Sequence, residues 1–209
     1  MNQKNSTKER ILDVAIDLFS KEGYGNVSIK QIADEVGITK SSIYTHYSKK
    51  EDILDSILDY FSNKHIGLEG ENPDENLNQK DIIAESLKGF KDIKISSKEL
   101  KTIKVLRILL IEAYHNEKVK NVLEEQIDKS IEMWTKFFKN LIDKKIIENY
   151  NPRKLAESYF NFIIAMMYEK VVLKYPESIS EDYMDKQFER AEEHLNLIIN
   201  SVILKKESK

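Results

Sequence analysis

At 209 residues the chain is long enough to bury a sizeable core, either as one compact unit or as two small domains. It has no cysteine, which excludes disulfides, thiolate chemistry and cysteine-based zinc sites, and its six glycines and three prolines leave a composition that favours helices throughout. The net charge of −3 is unevenly spread: residues 1–50 hold eight Lys or Arg against six Asp or Glu, so charge permits a nucleic-acid partner there without proposing one.

The N-terminus, MNQKNSTKER, has no apolar stretch behind it, and a signal peptide is not expected. Ser6 with Glu9 makes a capping box for a first helix to about Glu22, with Ile11, Leu12, Ala15, Leu18 and Phe19 as its buried stripe and Gly23 as its stop. Ser28 with Gln31 opens a second helix, whose Ile29, Ile32, Ala33 and Val36 recur at helical spacing. Gly37 suits the left-handed position that ends it, Ile38 is an apolar plug, and Thr39 caps a short third segment, Lys40 to Tyr47. Two short helices around a tight turn, with small Ala33 where they cross, are helix-turn-helix grammar. That pattern predicts a second helix lying in the major groove of DNA.

A longer helix follows from about Lys50 to Ile66, carrying Ile53, Leu54, Ile57, Leu58 and Phe61, and Gly67 to Leu77 reads as an exposed loop. Five more helices are expected: Lys80 to Ile95, with Ile82, Ile83, Leu87 and Phe90; one opened by Ser96 and Glu99, to His115; Lys118 to Ile146; one opened by Asn151-Pro152, to Leu173; and Glu181 to Leu204. The most apolar run, Phe162 to Tyr168, is far shorter than the ~20 residues a membrane span needs. A cytoplasmic protein without membrane contact is expected. The domain boundary is placed at the start of the long helix, giving 1–49 and 50–209.

The run Thr39-Lys40-Ser41-Ser42-Ile43-Tyr44-Thr45-His46-Tyr47, followed by Lys49-Lys50-Glu51-Asp52-Ile53-Leu54, closely resembles the DNA-binding signature of the TetR family of bacterial transcriptional regulators. The resemblance covers the first quarter of the chain and is most secure at Tyr44, His46, Tyr47, Lys50 and Glu51. It implies an all-α protein with an N-terminal three-helix DNA-binding domain and a C-terminal helical domain for effector binding and dimerisation. Bound partners would be an operator in double-stranded DNA, a small, hydrophobic effector and a second copy of the chain.

On the residues themselves, Thr39, Lys40, Ser41 and Ser42 stand at or near a helix start that favours phosphate. Lys40 also has the reach for a guanine edge. Tyr44 and His46 suit backbone phosphates or a thymine methyl, Ser28 and Lys30 the flanking backbone, and Lys50 is a phosphate anchor by resemblance. Ile32, Ala33, Val36, Ile43 and Tyr47 are assigned to the core. Tyr114, His115, Trp134, Phe137 and Met167 are the expected effector-pocket residues, since pockets are lined mainly by such side chains with a few polar groups. Tyr159, Ile163, Leu195, Ile198 and Val202 are expected at the dimer interface, because the Tyr159–Leu173 segment is apolar on more than one face.

Glu112-x-x-His115 has di-iron spacing, but His46, His65 and His194 each lack a glutamate three residues earlier, so no metal site is expected. With no phosphate loop and no nucleophile elbow, neither an enzyme nor a cofactor is expected. The reading is a repressor released from a palindromic operator by its effector. The alternative is a DNA-bound adaptor of the same fold that works through a protein partner.

Overall fold

The computed structural model describes residues 6–63, 97–176 and 180–202. The expected loop at 67–77, the helix at 80–95, the Ser96 cap and the last turns of the helices expected to reach Ile66 and Leu204 lie outside them. The described elements are α1 (Thr7–Glu22), α2 (Ile29–Val36), α3 (Lys40–Tyr44), α4 (Lys50–Ser62), α5 (Ser97–Glu112), α6 (Glu117–Asp143), α7 (Pro152–Tyr168), a π-turn (Glu169–Leu173) and α8 (Glu181–Ser201). The fold is all-α, with no strand among the described residues. No described helix is long and apolar enough to cross a membrane.

The chain forms two compact units. The first holds α1 to α5 and α6 as far as Leu123. Its helix starts are reciprocal caps: Ser6 Oγ accepts from the Glu9 N–H while the Glu9 carboxylate accepts from the Ser6 N–H, and Ser28 and Gln31 repeat the pattern. Four orphan N–H groups open every helix, and these boxes satisfy two of them locally. Ile11, Ala15, Ile16 and Phe19 of α1 pack with Ile32, Ala33 and Val36 of α2, Ile43 of α3, and Ile53, Leu54, Ile57, Leu58 and Phe61 of α4 in the buried core. Leu12 and Leu18, expected in the stripe of α1, are only half-buried, and Ile16 takes the inner place.

α5 lies along α1. Lys101 pairs with Asp13 at 2.5 Å and Lys104 with Asp17 at 2.6 Å, and the Arg107 guanidinium donates to the Ser20 carbonyl at 2.8 Å. Exposed ion pairs contribute roughly 0–1 kcal/mol each. Lys104 is the better placed, its side chain being 15% exposed against 49% for Asp17.

The second unit contains α6 from Glu124, α7, the π-turn and α8. Trp134, Phe138 and Leu141 of α6, Tyr159, Phe160 and Ile163 of α7, and Leu195, Ile198 and Ile199 of α8 make its core. α6 ends three residues before its expected stop. Lys145 adopts φ 55°, and the Ile146 and Lys145 N–H groups close back onto the Leu141 and Ile142 carbonyls in a Schellman turn. No glycine marked that stop. Asn151 caps α7 through its side-chain carbonyl, which accepts from the Arg153 and Lys154 N–H groups, with Pro152 at the first helical position as its missing N–H allows.

The unit also places the residues expected at a dimer interface. Tyr159, Ile163, Leu195 and Ile198, assigned to a dimer interface, are 0–7% exposed inside a single chain, and Val202 packs partly buried against the same core.

Gly37 sits at φ 76° with nothing within 4 Å of the place where a Cβ would stand, so an alanine there meets only backbone strain. Gly37→Ala is expected to lower stability by about 1–2 kcal/mol, the penalty of a left-handed L-residue. Gly25→Ala, with the same open space and no positive φ, serves as the control in urea denaturation followed by circular dichroism.

Candidate nucleic-acid interface

The α2–α3 turn is built from one backbone choice. Gly37 in the left-handed region lets its own N–H reach the Asp34 carbonyl and lets the Ile38 N–H reach back to Ala33. Ile38 tucks in half-buried, and the chain emerges pointing into α3. Thr39 then caps α3, its hydroxyl accepting from the Ser42 N–H at 3.2 Å and lying 2.8 Å from both Ser41 Oγ and Ser42 Oγ. α3 is only five residues long, ending at Tyr44 rather than Tyr47: the His46 and Tyr47 N–H groups both turn onto the Ile43 carbonyl. So short a helix sums little macrodipole, which leaves its side chains to set its chemistry.

Burial sorts those side chains. Ile43 and Tyr47 are 0% and 3% exposed and face the core. Thr39, Lys40, Ser41, Tyr44, Thr45 and His46 are exposed, as are Ser28 and Lys30 at the start of α2, while Ser42 is half-buried. Lys40 lies over the Tyr44 ring at 5.7 Å, one turn along. The outward surface of α3 thus carries hydroxyls, one ammonium, one phenol and one imidazole around an apolar inward face. Side chains of these types are able to donate to phosphate oxygens and to base edges.

Lys50 differs from the expectation. Its ammonium donates to the Tyr24 carbonyl at 2.9 Å and the Val27 carbonyl at 3.0 Å, and lies over the Tyr24 ring at 4.3 Å. Two of its three N–H groups therefore tie α4 to the loop between α1 and α2. Burial, followed by the nearby Glu51 and Glu112 carboxylates, pushes the Tyr24 phenol up to about 12. The neighbouring Lys49 is exposed instead. The Asp52 carboxylate accepts from the Ser48 and Lys49 N–H groups and so starts the helix at residue 50.

The five expected pocket residues are divided between the two units, two in the first and three in the second. Tyr114 is 88% exposed, with its ring edge-on to the exposed His115 at 4.8 Å, and both belong to the first unit. Trp134 and Phe137 are buried in the second unit, edge-to-face at 5.2 Å, with Met167 packed partly buried against the same core. Among the described residues no group of three or more His, Asp or Glu stands ready to hold a metal ion.

A capped α2, a left-handed glycine and a short outward-facing α3, braced by α1 and α4, define a helix-turn-helix protein. Residues 11–57 match the family model described as bacterial regulatory proteins, tetR family. The biofilm operon negative transcriptional regulator IcaR of Staphylococcus epidermidis is 38% identical over 69 residues, covering 33% of this chain and 37% of IcaR. The chain spans only about a fifth to a third or slightly more of the curated relatives it matches. Whole-chain likeness lies in the fold. A TetR family regulator from Pseudomonas syringae pv. tomato superposes with TM-score 0.68 at 15% identity, covering 97% of this chain and all of that one. The SmeT–triclosan complex gives 0.61 at 16% identity, over 96% and 93%. Residues 11–57 therefore carry a TetR-family DNA-binding segment, and the whole chain shares the fold of TetR regulators.

Two variants separate the two lysine roles. Lys50→Met is expected to lose about 1–3 kcal/mol of stability, because two carbonyls lose a charged donor. Lys40→Met is expected to stay within about 0.5 kcal/mol of wild type. On a mixed-sequence duplex, Lys40→Met should flatten the dependence of log affinity on log salt by about one phosphate contact. Thermal unfolding and anisotropy titrations at three salt concentrations read both effects.

Proposed function

We propose that this protein is a sequence-specific DNA-binding transcriptional regulator that works as a homodimeric repressor and is released from a palindromic operator by a small hydrophobic effector. The observation that carries the reading is the outward surface of α3: Thr39, Lys40, Ser41, Tyr44 and His46 exposed beside Ile43 and Tyr47 that are fully inside. Thr39, Lys40, Ser41 and Ser42 contact phosphates or base edges, Ser28 and Lys30 the flanking backbone, and Lys49 takes the phosphate role that Lys50 has given up to its carbonyl contacts. Residues 1–49 serve as the reading head and residues 50–209 as the regulatory body.

The dimer face is kept on the two helices where it was expected and centred on the residues the core leaves uncovered. The rings of Phe162 on α7 and His194 on α8 stack at 4.0 Å, which joins two rows of residues at helical spacing. One row continues to Ala165 and Tyr168, the other to Leu197. Leu197 is 67% and Tyr168 47% exposed, a large apolar area for a lone protomer to leave in water. A second copy packing there buries both and presents two α3 helices to successive major grooves, ~34 Å apart. A ligand that favours another spacing shifts the population off the operator, with a coupling of roughly 1–3 kcal/mol. That IcaR is a negative regulator and SmeT is a triclosan complex supports repression and effector binding as readings for this chain.

Fluorescence anisotropy on the DNA upstream of the protein's own gene, at fixed salt, tests the proposal. Tight binding that a metabolite extract abolishes is the expected result; ligand-saturated protein that holds operator as tightly as ligand-free protein contradicts it. Leu197→Glu is expected to give a monomer by light scattering and to lower operator affinity about tenfold or more, equivalent to at least ~1.4 kcal/mol. A dimer of undiminished affinity would move the interface elsewhere.

A further inference from the structure

Among the described residues, three buried polar atoms of one aromatic cluster in the second unit have no hydrogen-bond partner: Trp134 Nε1, Tyr159 Oη and His194 Nε2. They come from three different helices and converge through their rings. Trp134 meets Tyr159 at 4.4 Å between centroids, and Tyr159 stacks with His194 at 6.1 Å and an interplanar angle of 13°. Trp134 and Tyr159 are 1% and 0% exposed. A buried polar atom without a partner is destabilising by roughly 1–3 kcal/mol, and folded proteins rarely leave one unmatched. Three in one aromatic cluster are the mark of a place where a guest supplies the missing atoms.

We propose that this cluster is a recognition site for a small neutral aromatic molecule carrying a hydrogen-bond acceptor oxygen. The inference rests on the reading of the protein as effector-responsive and gives that effector a chemical class. The acceptor requirement follows from the donors. The Trp134 indole N–H can only donate, and the Tyr159 phenol, which burial alone pushes far above its ordinary value, stays protonated and donates as well. His194 Nε2 takes either role, so a ligand hydroxyl is also served. Neutrality follows from the surroundings. Among the described residues, Ser20 and Glu112 are the buried polar or charged side chains, and neither belongs to this unit. Trp134 and Tyr159 are packed among rings and aliphatic side chains, so a carboxylate brought between them keeps most of its desolvation penalty. The aromatic preference follows from rings already set edge-to-face, an arrangement that a further ring extends. Met133 and Met167, packed partly buried on the cluster, are unbranched side chains able to make room.

Trp134 is the sole tryptophan of the chain, so its emission reports the site directly. Full-length protein, without DNA, is titrated with three probes of similar shape: acetophenone, ethylbenzene and benzoate. Acetophenone is expected to shift Trp134 emission and to bind about tenfold more tightly than ethylbenzene, the worth of one good hydrogen bond to a buried group. Benzoate is expected to bind more weakly still. Tyr159→Phe should erase the advantage of acetophenone over ethylbenzene and leave ethylbenzene unchanged. Equal affinity for the three probes, or no response to acetophenone up to millimolar concentration, overturns the proposal, and the wild-type comparison decides this even if the variant folds poorly. Binding is read apart from operator release: acetophenone that binds with the expected preference while the operator stays bound upholds this site and contradicts effector-driven release.

Discussion

One left-handed residue governs the reading surface. With Gly37 at φ 76°, α2 stops at Val36, Ile38 turns inward, and Thr39 is delivered where its hydroxyl can cap the next helix. Every exposed group on α3 owes its direction to that turn. Ile43 must face the core for the three-helix head to close, and with Ile43 inside, Lys40, Ser41 and Tyr44 can only face out. The chemistry of the surface is set by residue choice, and its placement by a backbone conformation that side chains other than glycine adopt at a penalty.

The same logic separates two adjacent lysines of identical charge. Lys49 precedes α4 and stays in water. Lys50 begins the helix, swings inward and gives its ammonium to the carbonyls of Tyr24 and Val27. An ammonium so held is a brace for the head, joining α4 to the loop that precedes α2. The Lys101–Asp13, Lys104–Asp17 and Arg107–Ser20 contacts brace α1 against α5 in the same unit. The first unit is therefore steadied along two helices.

Much of this was legible in the residues. Capping is local chemistry, so Ser6 with Glu9, Ser28 with Gln31 and Asn151-Pro152 announced helix starts that the structure reproduces. Gly37 announced a stop. The end of α6 was not legible, because Lys145 takes the left-handed position that glycine usually marks. Nor was the inward turn of Lys50, which depends on carbonyls 23 and 26 residues earlier in the chain. The second unit was read least well. Apolar spacing says that Tyr159, Ile163, Leu195 and Ile198 are buried, and they are, but it cannot say whether the chain itself or a second copy buries them. The three unpartnered polar atoms of Trp134, Tyr159 and His194 have no sequence signature at all, since they exist only when α6, α7 and α8 meet.

The central claim is that α3 reads base edges in the major groove. Methylation interference tests it directly, because methyl groups on guanine N7 block that groove and leave the minor groove open. On duplexes selected by the protein from a random pool, the account predicts a palindromic consensus. Interference should fall on guanines in two patches about one helical turn apart on one face of the duplex. A selected pool without consensus, or binding indifferent to guanine N7 methylation at sites that contain guanine, would contradict it.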